Sequence, residues 1–187
     1  MFAKFCHWIL KIFGWRIRVE LPDTRKFVLI AAPHTSNWDF IVGILVRFAI
    51  GLKINFLGKA SLFKPPFGWI FSSLGGIPVE RNSRQNMVEQ MVEEFAKRTQ
   101  LCLALAPEGS RSPKEYWKTG FYHIAYKAGV PIVMGTLNFK NKLVEIKEHF
   151  MPSGDIHKDM EIIRAYFSKI QGKNPHLQGP IRIPEDS

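Results

Sequence analysis

Two spacings of apolar residues alternate along this chain. Runs in which almost every position is apolar, "KFVLIAA" from Lys26, "LCLALA" from Leu101 and "VPIVMG" from Val130, have strand length and predict strands buried on both faces. Between them apolar positions recur at helical spacing. "SNWDFIVGILVRFAIG" predicts a helix capped by Thr35 or Ser36 and closed near Gly51. "SRQNMVEQMVEEFAKR" places Met87, Val88, Met91, Val92 and Phe95 on one stripe. "GFYHIAYKAG" predicts a helix ending at Gly129, and "DMEIIRAYFSKI" a last one. "INFLGK", "IPVER" and "LVEIKE" are short strands, and Phe2, Phe5, Ile9, Ile12 and Phe13 share a helix face over residues 2–13. "PPFGWIFSSLGG" is apolar but broken at Pro65 and Pro66. It reads as the lining of an apolar pocket or as ordinary core.

This alternation predicts an α/β fold: a single domain with a mixed, mostly parallel central sheet and helices on both faces. A length of 187 residues suits one domain with a full core. Residues 1–26 read as an amphipathic segment with a membrane-associating face, 27–171 as the domain, and 172–187, rich in Pro and Gly, as an irregular tail. The N-terminal helix, edged by Lys4 and Lys11, fits a lipid interface or a terminal helix packed on the domain. No stretch reaches the roughly 18 apolar residues of a spanning helix. The formal charge of +10 calls for an anionic partner: acidic lipid, a phosphorylated cosubstrate or nucleic acid. Five tryptophans could stack on bases, so a basic non-catalytic binder of nucleic acid or lipid is the rival class. The basic residues are dispersed and no nucleic-acid module is recognisable, so no nucleic-acid partner is expected. Cys102, inside an apolar run, reads as a buried free thiol, and with Cys6 it makes no disulfide framework.

In such sheets ligand sites gather in strand-to-helix loops. Two of these loops are charged. The first holds His34 and Asp39, which on one continuous helix would stand about 140° apart. If the helix starts after His34, the loop can turn the imidazole back over the first turn. The pair then reads as a capping acid beside a structural histidine, or as a general base steadied by a carboxylate. The second loop, "PEGSRS", holds Glu108 and Arg111. Arg81 and Arg111 both follow apolar strands and suit a phosphate; Lys59 and Lys64 add charge, Lys64 as ordinary surface. Glu108 either holds Arg111 or touches substrate. The other histidines are scattered and there is no Cys-x-x-Cys, so no metal is expected. Without a Gly-x-Ser-x-Gly turn, no serine nucleophile is signalled.

Taken together these segments resemble the glycerolipid acyltransferase superfamily, typified by the bacterial lysophosphatidic acid acyltransferases. Its His-x4-Asp block is matched by His34 and Asp39. Its Gly-x-Ile-x-x-x-Arg block is matched by Gly75, Ile77 and Arg81, its Phe-Pro-Glu-Gly-Thr-Arg-Ser block by Pro107 to Ser112, and its Val-Pro-Ile strand by "VPIV". Order and spacing agree over about residues 27–137. Ala106, Ser110, Pro78, Met134 and Ser61 depart from the family pattern, several beside the acceptor site. The resemblance implies the glycerol-phosphate acyltransferase fold and transfer of a fatty acyl group from an acyl-CoA or acyl-ACP thioester, with no other cofactor. It implies a lysophospholipid acceptor, foremost 1-acyl-sn-glycerol-3-phosphate; a lyso-ornithine lipid, a glycolipid or another lysophospholipid is the alternative. His34 would be the base and Asp39 its orienting partner, with Lys59, Arg81, Glu108, Gly109, Ser110 and Arg111 holding substrate. An anionic membrane surface and acyl carrier protein are the implied partners, and the cytoplasmic face of a membrane the implied place.

Overall fold

The computed structural model describes residues 1–79 and 84–185, with the backbone alone for residues 84 and 85. Its organising strand is β2 (Lys26–Ala32), whose side chains are almost all buried, as an inner strand of a parallel sheet requires. β2 runs parallel to β5 (Leu101–Leu105) on one side and β6 (Ile132–Asn138) on the other, with Val28 opposite Leu103 and Ile132. β3 (Ile54–Lys59) pairs parallel with β5, and β4 (Gly76–Val79) with β3. Beyond β6, β7 (Leu143–Phe150) turns back antiparallel, with a register shift at Val133/Met134, and β1 (Arg16–Val19) closes that edge parallel to β7. The order is β1-β7-β6-β2-β5-β3-β4, the mixed, mostly parallel sheet expected from the pattern. β1 was not marked by that pattern. Its four residues alternate Arg with aliphatic and meet only one neighbour, so they lack the continuous apolar run of an inner strand.

Alternation along β2 sends Val28, Ile30 and Ala32 to one face and Phe27 and Leu29 to the other. The first set packs under α4 (Arg84–Lys97), α5 (Gly120–Ala128) and α6 (Ile156–Phe167), through residues such as Met91, Ile124 and Ile163. On the opposite face lie α2 (Asn37–Ile50) and, packed on it, α1 (Phe2–Ile12), where Leu10, Val42, Val46 and Val144 make a smaller core. The segment "PPFGWIFSSLGG" forms neither core nor pocket wall. Its helix α3 (Gly68–Ser73) is a short turn beside the edge strand β4, which leaves Phe67 64% and Trp69 71% exposed. No helix among the described residues is long and apolar enough to cross a membrane.

Candidate active site

α2 begins with its own carboxylate. Ser36 is the cap, its Oγ accepting from the Trp38 amide at 3.2 Å. Asp39, in the third helical position, returns the favour: its Oδ2 accepts from the Ser36 amide at 2.9 Å, completing a capping box. The same oxygen accepts from the Thr35 amide at 2.8 Å and stands 3.1 Å from Nδ1 of His34. Asp39 thus caps the helix and at the same time faces the imidazole, the arrangement that both readings of the His-Asp spacing require. The carboxylate is 3% exposed and the imidazole 30%. A carboxylate at Nδ1 fixes that nitrogen as the donor and leaves Nε2 to accept a proton.

The loop after β5 meets this one from the side. The His34 amide donates to Oε2 of Glu108 at 2.6 Å. Burial pushes the Glu108 carboxyl up to about 7; the His34 amide and ring oppose the rise, and the nearby Asp39 charge adds to it. Among the described residues no ion pair joins Glu108 to Arg111. Glu108 borders a small hollow of about 300 Å³ with Trp117 and Gln178, so its place is behind the histidine backbone. Gly109 takes φ +69° and lies against Lys118; a Cβ there would come within 2.5 Å of the lysine chain. Its amide donates to the Ala106 carbonyl at 3.0 Å, so that N–H is not free for a reacting oxygen.

His34, Asp39, Gly109, Ser110 and Arg111 all border one cavity of about 1090 Å³. One part of its wall is apolar: Phe40, Gly43, Ile44 and Val46 of α2 face Leu29, Ala31, Phe56 and Leu137 of the sheet. Another part is cationic, with Lys118 and Lys127 joining Arg111, and His123 lies beside them. Burial, and then Lys127, lower the His123 pKa from its usual value. Lys59 sits exposed at the end of β3 and is not part of this wall. Arg81 lies outside the described residues. The sequence reading missed Lys118, His123 and Lys127, which follow no strand directly. It also missed Arg47, although Arg47 falls seven residues after Phe40 on the helix stripe that faces the cavity.

Comparisons with known proteins place the chain in a family and give the fold a solved counterpart. Residues 16–135 match the family model described as Acyltransferase. The 1-acyl-sn-glycerol-3-phosphate acyltransferase of Escherichia coli (strain K12) is 29% identical over 131 residues, covering 65% of this chain and 52% of that protein. The chloroplastic enzyme BAT2 of Brassica napus, with the same activity in its name, is 28% identical over 130 residues, covering 66% of this chain and 38% of that one. The chain thus spans about half the length, or less, of these curated relatives. The crystal structure of the 1-acyl-sn-glycerophosphate acyltransferase PlsC from Thermotoga maritima superposes with a TM-score of 0.61 at 20% identity, over 92% of this chain and 80% of that one, and it shows the fold.

Proposed function

Because the chain belongs to the Acyltransferase family, we propose that it moves a fatty acyl group from an acyl thioester to a hydroxyl of a lysophospholipid, foremost 1-acyl-sn-glycerol-3-phosphate. The observation that carries this is the 3.1 Å approach of His34 Nδ1 to Asp39 Oδ2 on a cavity with both an apolar and a cationic wall. An acyl chain needs the first wall, and an acceptor phosphate needs the second.

The geometry supports the following steps. Nε2 of His34 takes the proton of the acceptor hydroxyl as its oxygen attacks the thioester carbonyl carbon. Asp39 holds the ring and stabilises the imidazolium. The tetrahedral adduct expels the sulfur as the C–S bond breaks. The imidazolium returns its proton to the thiolate, leaving an ester and a free thiol. The developing oxyanion needs donors. With the Gly109 amide engaged, and with the Tyr122 and His123 amides donating to the Thr119 carbonyl, the amides of Gly120 and Phe121 at the start of α5 on the cavity wall are the donors at hand. Arg111 and Lys118 receive the acceptor phosphate, with Arg81 added from the sequence pattern; Lys59, off the cavity wall, is left out of this role. The donor is acyl-CoA or acyl-ACP, and no cofactor beyond it is called for.

The outer face of α1 supports work at an anionic membrane surface. Phe2, Phe5, Trp8 and Ile12 are each more than half exposed on a helix carrying Lys4 and Lys11. A peripheral site on the cytoplasmic face brings lipid acceptor and soluble thioester together. A second acceptor class, lyso-ornithine lipid, glycolipid or another lysophospholipid, is favoured by Ala106 and Ser110, which depart from the family pattern and line the cavity. The test is release of thiol from an acyl thioester by the purified chain across a panel of these acceptors. Turnover with 1-acyl-sn-glycerol-3-phosphate well above the others confirms the leading acceptor. Preference for another lipid replaces it, and no ester product with any acceptor ends the assignment.

A further inference from the structure

The tail beyond α6 lies outside the matched family region, yet it is bonded to the loop that carries His34. Asn174 makes two of these contacts. Its amide donates to Thr35 Oγ1 at 3.1 Å, and its side-chain Nδ2 donates to the Thr35 carbonyl at 2.9 Å. Thr35 is 2% exposed, and its own N–H goes to Asp39 Oδ2. Each polar group of Thr35 thus has a fixed partner, and two of the three are answered by one residue 139 positions away.

The tail itself is held for this task. The Gly172 amide donates to Gln178 Oε1 at 2.9 Å, and Gln178 Nε2 donates back to the Ile170 carbonyl at 3.1 Å. Gly172 passes so close to the loop that a Cβ on it would fall 2.8 Å from Thr35 Oγ1 and 3.0 Å from Pro33. Further on, the Trp117 amide donates to the Arg182 carbonyl at 2.8 Å, and Ile183 is buried in the main core. The tail therefore spans from the His34 loop to the segment that follows the Glu108 loop.

We propose that Asn174 is a positioning residue for acyl transfer: by holding the Thr35 carbonyl and hydroxyl it sets where Asp39 and the His34 ring meet. The chain of action is short. Thr35 lies between His34 and the cap, and its amide shares the Asp39 oxygen with Nδ1 of His34. A Thr35 free to rotate withdraws its amide from Asp39 and lets the imidazole drift from the attack geometry. Misplacement of a reacting group on this scale costs roughly 10- to 100-fold in turnover. This inference rests on His34 being the base of the proposed reaction.

Two variants and two readouts test it. Asn174→Ala lowers kcat by about 10-fold or more, leaves KM for thioester and acceptor within a small factor, and speeds hydrogen exchange at the Thr35 and Ser36 amides while core strands keep their protection. Asn174→Asp keeps size and shape but turns an oxygen toward the Thr35 carbonyl, so it falls at least as far as the alanine variant. A packing role alone would leave it near wild type. Wild-type kcat and wild-type exchange in both variants overturn the proposal. If the wild-type chain releases no thiol at all, the functional reading fails first. Unchanged exchange at Thr35 and Ser36 then overturns the positioning role as well, and faster exchange upholds the clamp on the loop.

Discussion

The two ends of helix α2 border the same cavity and are built on opposite terms. At the first end one carboxylate oxygen of Asp39 gathers three donors, the amides of Thr35 and Ser36 and the imidazole of His34. At the other end, Arg47 presents Nε and Nη1, both sealed from solvent and without a hydrogen-bond partner among the described residues. Its guanidinium lies 5.0 Å from the Phe48 ring, a contact that satisfies neither N–H. The loaded end has its geometry fixed by these bonds, as the proposed general base needs. The uncommitted end keeps the cost of unmet donors, so it discriminates among occupants. From Asn37 to Arg47 the helix rises about 15 Å, close to the depth of one leaflet of a hydrocarbon core of about 30 Å. A membrane-length acyl tail laid along it would reach the guanidinium.

Breaking the loaded end has the largest expected effect. His34→Ala lowers thiol release by roughly 10²- to 10⁴-fold with a thermal midpoint close to wild type, and Asp39→Asn lowers it by a smaller factor of that range with a lower midpoint, because the same carboxylate caps α2. A His34→Ala chain as active as wild type would remove the base from the mechanism.

Next in size is the pH response of Glu108, which sits behind the same loop. Its carboxyl titrates near 7 when folded against 4.5 as the reference value, because burial disfavours the charge. The folded chain therefore binds the extra proton. The associated stability is fully present below about pH 4.5 and is lost as pH rises through about 7. At 1.36 kcal/mol per unit the span is about 3 kcal/mol. Glu108→Gln, which still accepts from the His34 amide, flattens this part of the profile. Thermal melts of both chains between pH 4.5 and 8 give the difference, and parallel curves would refute it.

The smallest effect is at the uncommitted end. Arg47→Leu raises turnover of palmitoyl relative to lauroyl thioester by a few-fold and raises stability by about 1–3 kcal/mol, since two unpaired donors of a charged group are gone. An unchanged ratio of the two thioesters would mean that the acyl tail does not travel along α2.

These two ends also differ in how they could be read from sequence. The His34 end is local: cap, third-position acid and loop histidine lie within six residues, and helix geometry decides their meeting. The strands that carry the loops were legible for a similar reason, since an inner strand such as β2 is apolar throughout. The Arg47 end depends on which helix face turns inward, and the charge itself argued for the outside. Yet Phe40, Gly43, Ile44 and Arg47 share one helical stripe, which was the available signal. The apolar wall was sought in "PPFGWIFSSLGG" because that segment is apolar, but its place beside the last strand of the sheet leaves it little to pack against. Asn174 gave no local sign. Its meaning comes from a partner at the far end of the chain, and a Pro- and Gly-rich stretch looks the same whether it is tethered or loose.

One consequence follows from the oxygen that both closes α2 and steadies the imidazole. The count of residues from His34 to Asp39 cannot drift. Adding or deleting one residue between cap and acid rotates the carboxylate by about 100° around the axis, away from the amides and the ring together. Loop remodelling here has no graded intermediates: the start of the helix and the proposed proton acceptor come or go as one unit.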